Sequence, residues 1–199
     1  MRKKFYFLLV AMAFCASLTA QNFEYQLGLK GAVGMDWIRV LKSDYTSKDN
    51  GFTYHFGLTG VYYLDENYGF SSGFNIIGNQ FSYKNVSEYD YRTTYFQIPF
   101  LLKMRTDEFG SSMRFFGEIG YGFDVLIDGT YKVNDVKEDN PYRDVCSSFI
   151  LHLGIEMNVL NRSTLQFMLG YDNYFSSMMT MSQDKLTISN AFFEIGFLF

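Results

Sequence analysis

Few residues in this 199-residue chain are of types that could carry chemistry. His55 and His152 are its two histidines, and a nucleophilic site would need a Ser or His with an acidic partner. No H-x-x-x-H spacing accompanies them, which excludes the usual zinc patterns. Residues 69–73 match G-x-S-x-G, but that motif works only on a sharp strand-to-helix turn, whereas here it lies in an alternating segment. With no phosphate-cradling loop either, the sequence predicts no catalytic residue, no metal site and no cofactor.

Composition limits the class of protein. Aromatic residues make up 20% of the chain and there are only two prolines, which argues against disorder. A formal net charge of -4 excludes a basic nucleic-acid footprint, so no nucleic-acid partner is expected. The length allows one domain or at most two.

The first twenty residues have the layout of a secretory signal peptide. Cations at 2–4 precede ten apolar residues at 5–14, and small residues follow up to Ala20. We expect cleavage near Ala20, leaving residues 21–199 as the mature domain with Cys146 as its single cysteine and hence no internal disulfide. A lipoprotein signal at Cys15 is disfavoured because the preceding Phe14 is bulky. No mature segment is apolar enough for a transmembrane helix.

The mature chain alternates apolar with polar or small residues almost throughout. Phe96, Ile98, Phe100, Leu102 and Met104, for example, share one face of a segment with period two. Eight strands are predicted at about 25–37, 52–64, 68–81, 92–104, 113–127, 147–159, 164–175 and 189–199. Strand length is close to what a tilted strand needs to cross the hydrocarbon layer.

The connections between the strands alternate in length. Short turns are predicted at 65–67, 106–112 and 160–163, and long polar loops at 42–51, 82–91, 128–144 and 176–187. Together with the export signal, this asymmetry predicts an all-β, eight-stranded antiparallel up-and-down transmembrane barrel in the outer membrane, with periplasmic short turns and termini. A soluble periplasmic lipocalin-like barrel stays open as an alternative, since a soluble sheet can also alternate.

Two features of the strands carry structural expectations. Aromatic residues near strand ends are expected to form girdles at the membrane interfaces. They are Tyr25, Trp37, Tyr62, Tyr121, Tyr171 and Phe199. Pro99 cannot donate to a β-ladder, so we expect a bulge or a water-bridged gap beside it.

The polar face would turn into the lumen, which is narrow in an eight-stranded barrel. Charged and titratable residues on this face by parity are Lys30, Asp36, His55, Lys103, Arg114, Glu118, Asp124, His152, Glu156, Asp172 and Glu194. Because a buried charge must be paired, the expectation is a structural ionic network. In it Lys30, Lys103 and Arg114 pair with Glu118, Glu156 or Glu194.

Four segments carry a recognisable pattern: 51–67, 95–103 (YFQIPFLLK), 118–122 (EIGYG) and 194–199 (EIGFLF). In these segments the chain resembles the PorT-like family of Bacteroidota-type outer membrane protein beta-barrel domains. The resemblance covers essentially the whole mature chain, with Gln97 standing where the family often has an acidic residue. It implies the barrel fold, and since some relatives assist an outer-membrane secretion system, it offers that role as one expectation.

The functional hypothesis is therefore a non-enzymatic outer-membrane protein, structural or partner-binding at the cell envelope. Its expected partners are outer-membrane lipid and an envelope or secretion-complex protein bound through the Tyr-rich long loops, above all 128–144 and 82–91. One alternative is a lipid-modifying barrel enzyme that uses His55 or His152. The other is the lipocalin-like barrel with a ligand inside.

Overall fold

The protein is described by a computed structural model covering residues 25–41, 51–84, 88–110, 112–134, 136–138, 142–160, 163–175 and 185–199. The predicted signal peptide at 1–20 lies outside these residues. No helix within the described ranges is long and apolar enough to cross a membrane.

Nine antiparallel strands form one sheet. Their bounds are β1 Tyr25–Leu41, β2 Gly51–Tyr63, β3 Tyr68–Lys84, β4 Glu88–Arg105, β5 Met113–Val133, β6 Val136–Glu138, β7 Val145–Leu160, β8 Ser163–Tyr174 and β9 Lys185–Leu198. Eight of them close into a barrel, because β9 pairs with β1 and β5 pairs with both β4 and β7. The three-residue β6 pairs with the far end of β5. The predicted eight-stranded antiparallel barrel is thereby confirmed.

The two faces of the sheet have opposite chemistry. Leu29 is 46% exposed on the outer face and lies opposite Leu58 on β2 and Phe197 on β9, whereas the next residue, Lys30, points inward and is 7% exposed. The same alternation runs round the barrel and produces an apolar outer surface with a polar interior. Closure pairs the backbone groups of neighbouring strands, which a sheet surrounded by hydrocarbon requires.

The barrel has a turn end, with the connections 64–67, 106–112 and 161–162, and a loop end on the opposite side. At the loop end the strands are longer than expected. The predicted loop 82–91 is wrong in large part, because β3 continues to Lys84 and β4 starts at Glu88, with Ser82 opposite Asp90. Likewise β5 continues to Val133 and adds β6 within the predicted loop 128–144. The ladder extends there with polar residues, which the apolar alternation used for the prediction does not reveal.

A β-bulge reverses the facing of β5 near the loop end. Tyr95 pairs with Leu126 but Thr94 pairs with Asp128, so Ile127 is the extra residue on the bulged strand. Below the bulge Asp124 faces the lumen; above it Tyr131 does, and Asp128 faces outward.

Pro99 interrupts the ladder between β3 and β4 without a bulge. Pairing stops after Ser72–Phe100 and resumes at Asn75–Gln97 in the same register. The Ser72 hydroxyl donates to the Pro99 carbonyl oxygen at 2.7 Å. Of the two expected irregularities, the structure therefore has the gap, because proline lacks the N–H that this ladder would need.

Candidate functional site

The candidate site is the interior of the barrel, where parity places the predicted titratable residues. Ten of the eleven side chains are buried, and Arg114 is half-buried at the turn end. They separate by height: the two lysines, Arg114, the three glutamates and both histidines occupy the turn-end and middle levels, and the three aspartates occupy the level above.

Lys103 is the centre of the turn-end charge cluster. Its ammonium lies 3.0 Å from Glu156 Oε2 and 3.9 Å from Glu118 Oε1, and 4.0 Å above the ring centre of Phe116. Its side chain is fully buried, so these partners replace the water that a buried cation loses. Lys30 forms a separate pair with Glu194 Oε1 at 3.4 Å.

Arg105 rather than Arg114 completes this cluster. The Arg105 guanidinium lies 3.3 Å from Glu156 Oε1 and stacks 3.8 Å over the ring of Tyr63. Arg114 instead donates to the backbone carbonyl of Glu66 in the β2–β3 turn at 3.1 Å. Arg105 was not among the predicted lumen residues, because the predicted fourth strand ended one residue earlier, although the parity of Arg105 matches that of Lys103.

Both histidines point into the lumen and lie on either side of one ring. His152 Nδ1 contacts Glu118 Oε2 at 2.9 Å, and His55 Nε2 contacts the Thr53 hydroxyl at 3.2 Å. The Phe192 ring lies between them, with its centre 4.2 Å from that of His55 and 5.7 Å from that of His152. Neither imidazole reaches the outer face, where a lipid would lie.

Above this level, Asp124 is held by neutral donors. Gln97 Nε2 donates to Oδ1 at 3.0 Å, and the Ser148 hydroxyl donates to Oδ2 at 3.0 Å. The Tyr174 hydroxyl adds a longer bond of 3.4 Å to Oδ1. Gln97 Oε1 also accepts a hydrogen bond from Asn75 Nδ2 at 2.8 Å. The Gln97 side chain thus links Asn75 on β3 to Asp124 on β5, and it stands where the resembled family often has an acidic residue.

Two inward glycines make room for this network. A Cβ on Gly57 would lie 2.3 Å from Asn75 Oδ1, and one on Gly122 would lie 2.5 Å from the Ser148 hydroxyl and 2.9 Å from Gln97 Nε2. Any larger residue at these positions would push the hydrogen-bonding groups apart.

Asp36 and Asp172 complete this level and are bonded less fully. They face Asn190 from either side, on β1 and β8. Neither carboxylate oxygen of Asp36 has a protein partner among the described residues, and Asp172 Oδ1 has none either. Neither aspartate forms an ion pair with a cation in the described part of the chain.

An aromatic cluster fills the loop-end mouth of the lumen. Its buried members are Phe81, Tyr91, Tyr95, Tyr142, Cys146, Tyr174 and Ile188, with Leu126 and Tyr131 packed against them. The Tyr91 ring lies 4.8 Å from Phe81 and 5.0 Å from Tyr131, centre to centre. The Tyr142 hydroxyl donates to the Thr130 carbonyl at 3.1 Å, and burial raises the pKa of this hydroxyl, which keeps it a donor.

The predicted loops 82–91 and 128–144 were expected to present their tyrosines as a contact surface. For Tyr91 and Tyr142 this expectation is wrong. Both rings fold inward over the lumen, where they lose contact with water. Polar residues beside them made the segments resemble solvated loops, and the strand extension that carries Tyr91 inward was not predicted.

The predicted girdle residues lie mainly on the outer face. Tyr25, Trp37, Tyr121, Tyr171 and Phe199 are exposed there, while Tyr62 is half-buried. Tyr121 lies well inside β5 rather than at its end, but its ring is 6.1 Å from that of Phe175, which follows β8 at the loop end. Tyr121 therefore contacts an aromatic ring at the loop end of the neighbouring part of the wall.

The structure contains neither a nucleophile elbow at residues 69–73 nor, among the described residues, a cluster of metal ligands. Residues 69–73 lie within β3, with Ser71 buried and facing the lumen, so the G-x-S-x-G match has no strand-to-helix turn. Within the described ranges, no group of three or more His, Cys, Asp or Glu is placed to hold a metal ion.

Comparison with known proteins gives the same architecture. Residues 6–198 match the family model described as "Outer membrane protein beta-barrel domain". Neisserial surface protein A (NspA) is similar in structure, with 10% identity over 88% of this chain and 98% of that one and a TM-score of 0.51. OprG from Pseudomonas aeruginosa has 11% identity over 88% and 95%, with a TM-score of 0.52.

The outer membrane enzyme PagL also matches, at 13% identity over 85% of this chain and 97% of that one, with a TM-score of 0.47. No curated protein sequence was found to match the chain. The family and its apolar outer surface place the protein in the outer membrane, so the soluble lipocalin-like alternative is wrong.

Proposed function

Because the chain belongs to the outer membrane protein beta-barrel domain family, we propose that it is a non-enzymatic envelope protein that acts through its extracellular loop end. Short turns are periplasmic in such barrels, which makes the loop end extracellular. One observation carries the proposal: ion-paired and hydrogen-bonded side chains occupy the lumen, and the aromatic cluster covers its loop-end mouth. Export by cleavage of residues 1–20 is part of the proposal.

The placement of the histidines supports a non-enzymatic role. A lipid-modifying site needs its base on the outer face or in a lateral gap, whereas His55 and His152 contact Thr53, Glu118 and the Phe192 ring inside the barrel. Their hydrogen bonds also lie within the network that holds the lumen together.

The β5–β6 hairpin is the part of the loop end best suited to a protein partner. Val136 is 61% exposed although it lies beyond the apolar belt, and β6 pairs with β5 alone in the described residues. An edge strand with an exposed apolar residue can accept a further strand from a partner. An envelope or secretion-complex protein is the proposed partner, and the resemblance to PorT-like relatives supports the secretion role.

Complementation of a strain that lacks the chain tests this proposal. V136D should abolish rescue of the strain's envelope permeability, because a charge at the hairpin edge blocks apolar contact. V136T, which keeps the shape of the side chain, should retain rescue. Unheated and boiled samples on SDS gels establish that each variant is folded.

Either of two results would refute the proposal. Full rescue by V136D would remove the hairpin as the contact. A lipid A mass that changes with wild type but not with a folded H55Q or H152Q variant would identify an enzyme.

A further inference from the structure

Above the bulge, the outer face of the barrel changes from apolar to charged, with an excess of cations over carboxylates. Arg92 and Asp90 on β4 lie opposite Thr130 and Lys132 on β5, and these four side chains line a shallow surface pocket. The bulge at Ile127 produces this arrangement, since without it Thr130 and Lys132 would face the lumen. The pocket is therefore a consequence of one extra residue in β5.

Lys132 also has a like charge beside it. It pairs directly with Lys137 on β6, and residues opposite each other in an antiparallel pair project from the same face. Like charges in this arrangement repel unless an anion lies between them. Asp90 accepts a hydrogen bond from the Ser82 hydroxyl, and Asp128 is exposed on the same face of β5, two residues before Thr130. Three cations, of which Arg92 and Lys132 line the pocket, therefore face two carboxylates.

The height of this surface relative to the bilayer indicates what the anion is. Phe96 and Ile127 are the uppermost apolar outward residues of β4 and β5. Arg92 lies four residues above Phe96, which is about 14 Å along a strand and about 10 Å in height at the usual tilt. Headgroups occupy about 5–8 Å beyond each side of the hydrocarbon core, and long cationic side chains reach back toward it.

We propose that Arg92, Lys132 and Lys137 bind the phosphate of an outer-leaflet lipid headgroup, with Thr130 as a further hydrogen-bonding group. Arginine matches phosphate oxygens with paired N–H donors, and lysines add charge. Thr94 and Asp128 form one level between this surface and the lipid-facing belt, and the surface opens sideways from the barrel wall. A lipid whose chains lie along Phe96 and Ile127 would bring its phosphate to this level, which a free anion has no reason to prefer. The inference does not rest on the proposed protein partner, and of its three cations only Lys137 lies on β6 beside Val136.

The test uses the full folded protein in nanodiscs of phosphatidylcholine with or without added lipid A, a glucosamine lipid that carries phosphate. Bound lipid A is quantified after extraction into detergent. Each lost cation should weaken retention about five-fold, and R92Q/K132Q about 25-fold, since a cation near an anionic surface contributes about that factor. R143Q removes an exposed cation that does not line the pocket, and should stay within about two-fold of wild type.

Three results would overturn the proposal. In the first, R143Q and R92Q/K132Q lose lipid A equally, which would indicate diffuse attraction. In the second, wild type retains lipid A no better than phosphatidylcholine. In the third, inorganic phosphate at low ionic strength displaces lipid A completely, which would make the pocket a site for the free anion.

Discussion

At the turn end of the lumen, buried cations lie against glutamates, whereas at the loop end an aspartate is held by amides and hydroxyls beneath a layer of aromatic rings. Lys103 lies 3.0 Å from Glu156 in the first region, and Gln97 lies 3.0 Å from Asp124 in the second. Ion pairs tie strands together strongly but leave a buried charge when one partner is lost. A carboxylate held by several neutral donors loses less when a single donor is removed.

Breaking the turn-end cluster should have the largest effect. Lys103→Met leaves Glu118 and Glu156 buried without their common cation, and should lower the free energy of unfolding by about 4 kcal/mol. Urea unfolding of the barrel folded in vesicles measures this. Arg114→Gln is the control and should lose about 1 kcal/mol or less, since Arg114 donates to a backbone carbonyl rather than to a buried carboxylate. Equal losses would mean that the cluster is not organised around Lys103.

Opening the aromatic cluster should have the next largest effect. Tyr91→Ala removes the ring that packs on Phe81 and Tyr131, and should lower the free energy of unfolding by about 3 kcal/mol. Tyr91→Phe keeps the ring and should lose about 1 kcal/mol or less. The same urea titration compares the two variants, and an alanine variant as stable as the phenylalanine one would show that the cluster contributes little.

The smallest effect on stability is expected for substitutions of the loop-end aspartates, which differ in their hydrogen bonding. Asp36→Asn removes a buried carboxylate without a described protein partner, and should leave stability unchanged or raise it by about 1 kcal/mol. Asp124→Asn should lower it by about 1–2 kcal/mol, since the amide cannot accept all of the bonds from Gln97, Ser148 and Tyr174. The urea unfolding midpoints of the two variants test this prediction. An equal fall in both midpoints would contradict the proposed difference in hydrogen bonding between Asp36 and Asp124.

Much of the interior could be anticipated because parity fixes the face of each residue in a strand. The inward placement of Lys30, His152 and Glu194 follows from a period of two alone. The partners of the buried ion pairs could not be predicted from parity. Glu156 lies opposite Arg114 in the β5–β7 register, yet its ion pairs are with Lys103 and Arg105 on β4. In a narrow barrel, long side chains reach beyond the neighbouring strand.

The loop end was the part predicted least well. Parity read from the apolar segment of β5 assigns Tyr131 to the outer face, and the unpaired Ile127 reverses that assignment. A bulge depends on how two strands fit together, and one strand's sequence does not contain that information.

The sequence by itself determined the number of long strands, their antiparallel order and the reversal of faces that suits lipid. Local alternation and loop length encode these features directly. Tertiary structure alone decided the register irregularity at Ile127, the inward folding of Tyr142, the choice of Arg105 over Arg114 and the cationic surface at Arg92. Each of these depends on contacts between residues of different strands, whose distances are set only when the barrel closes.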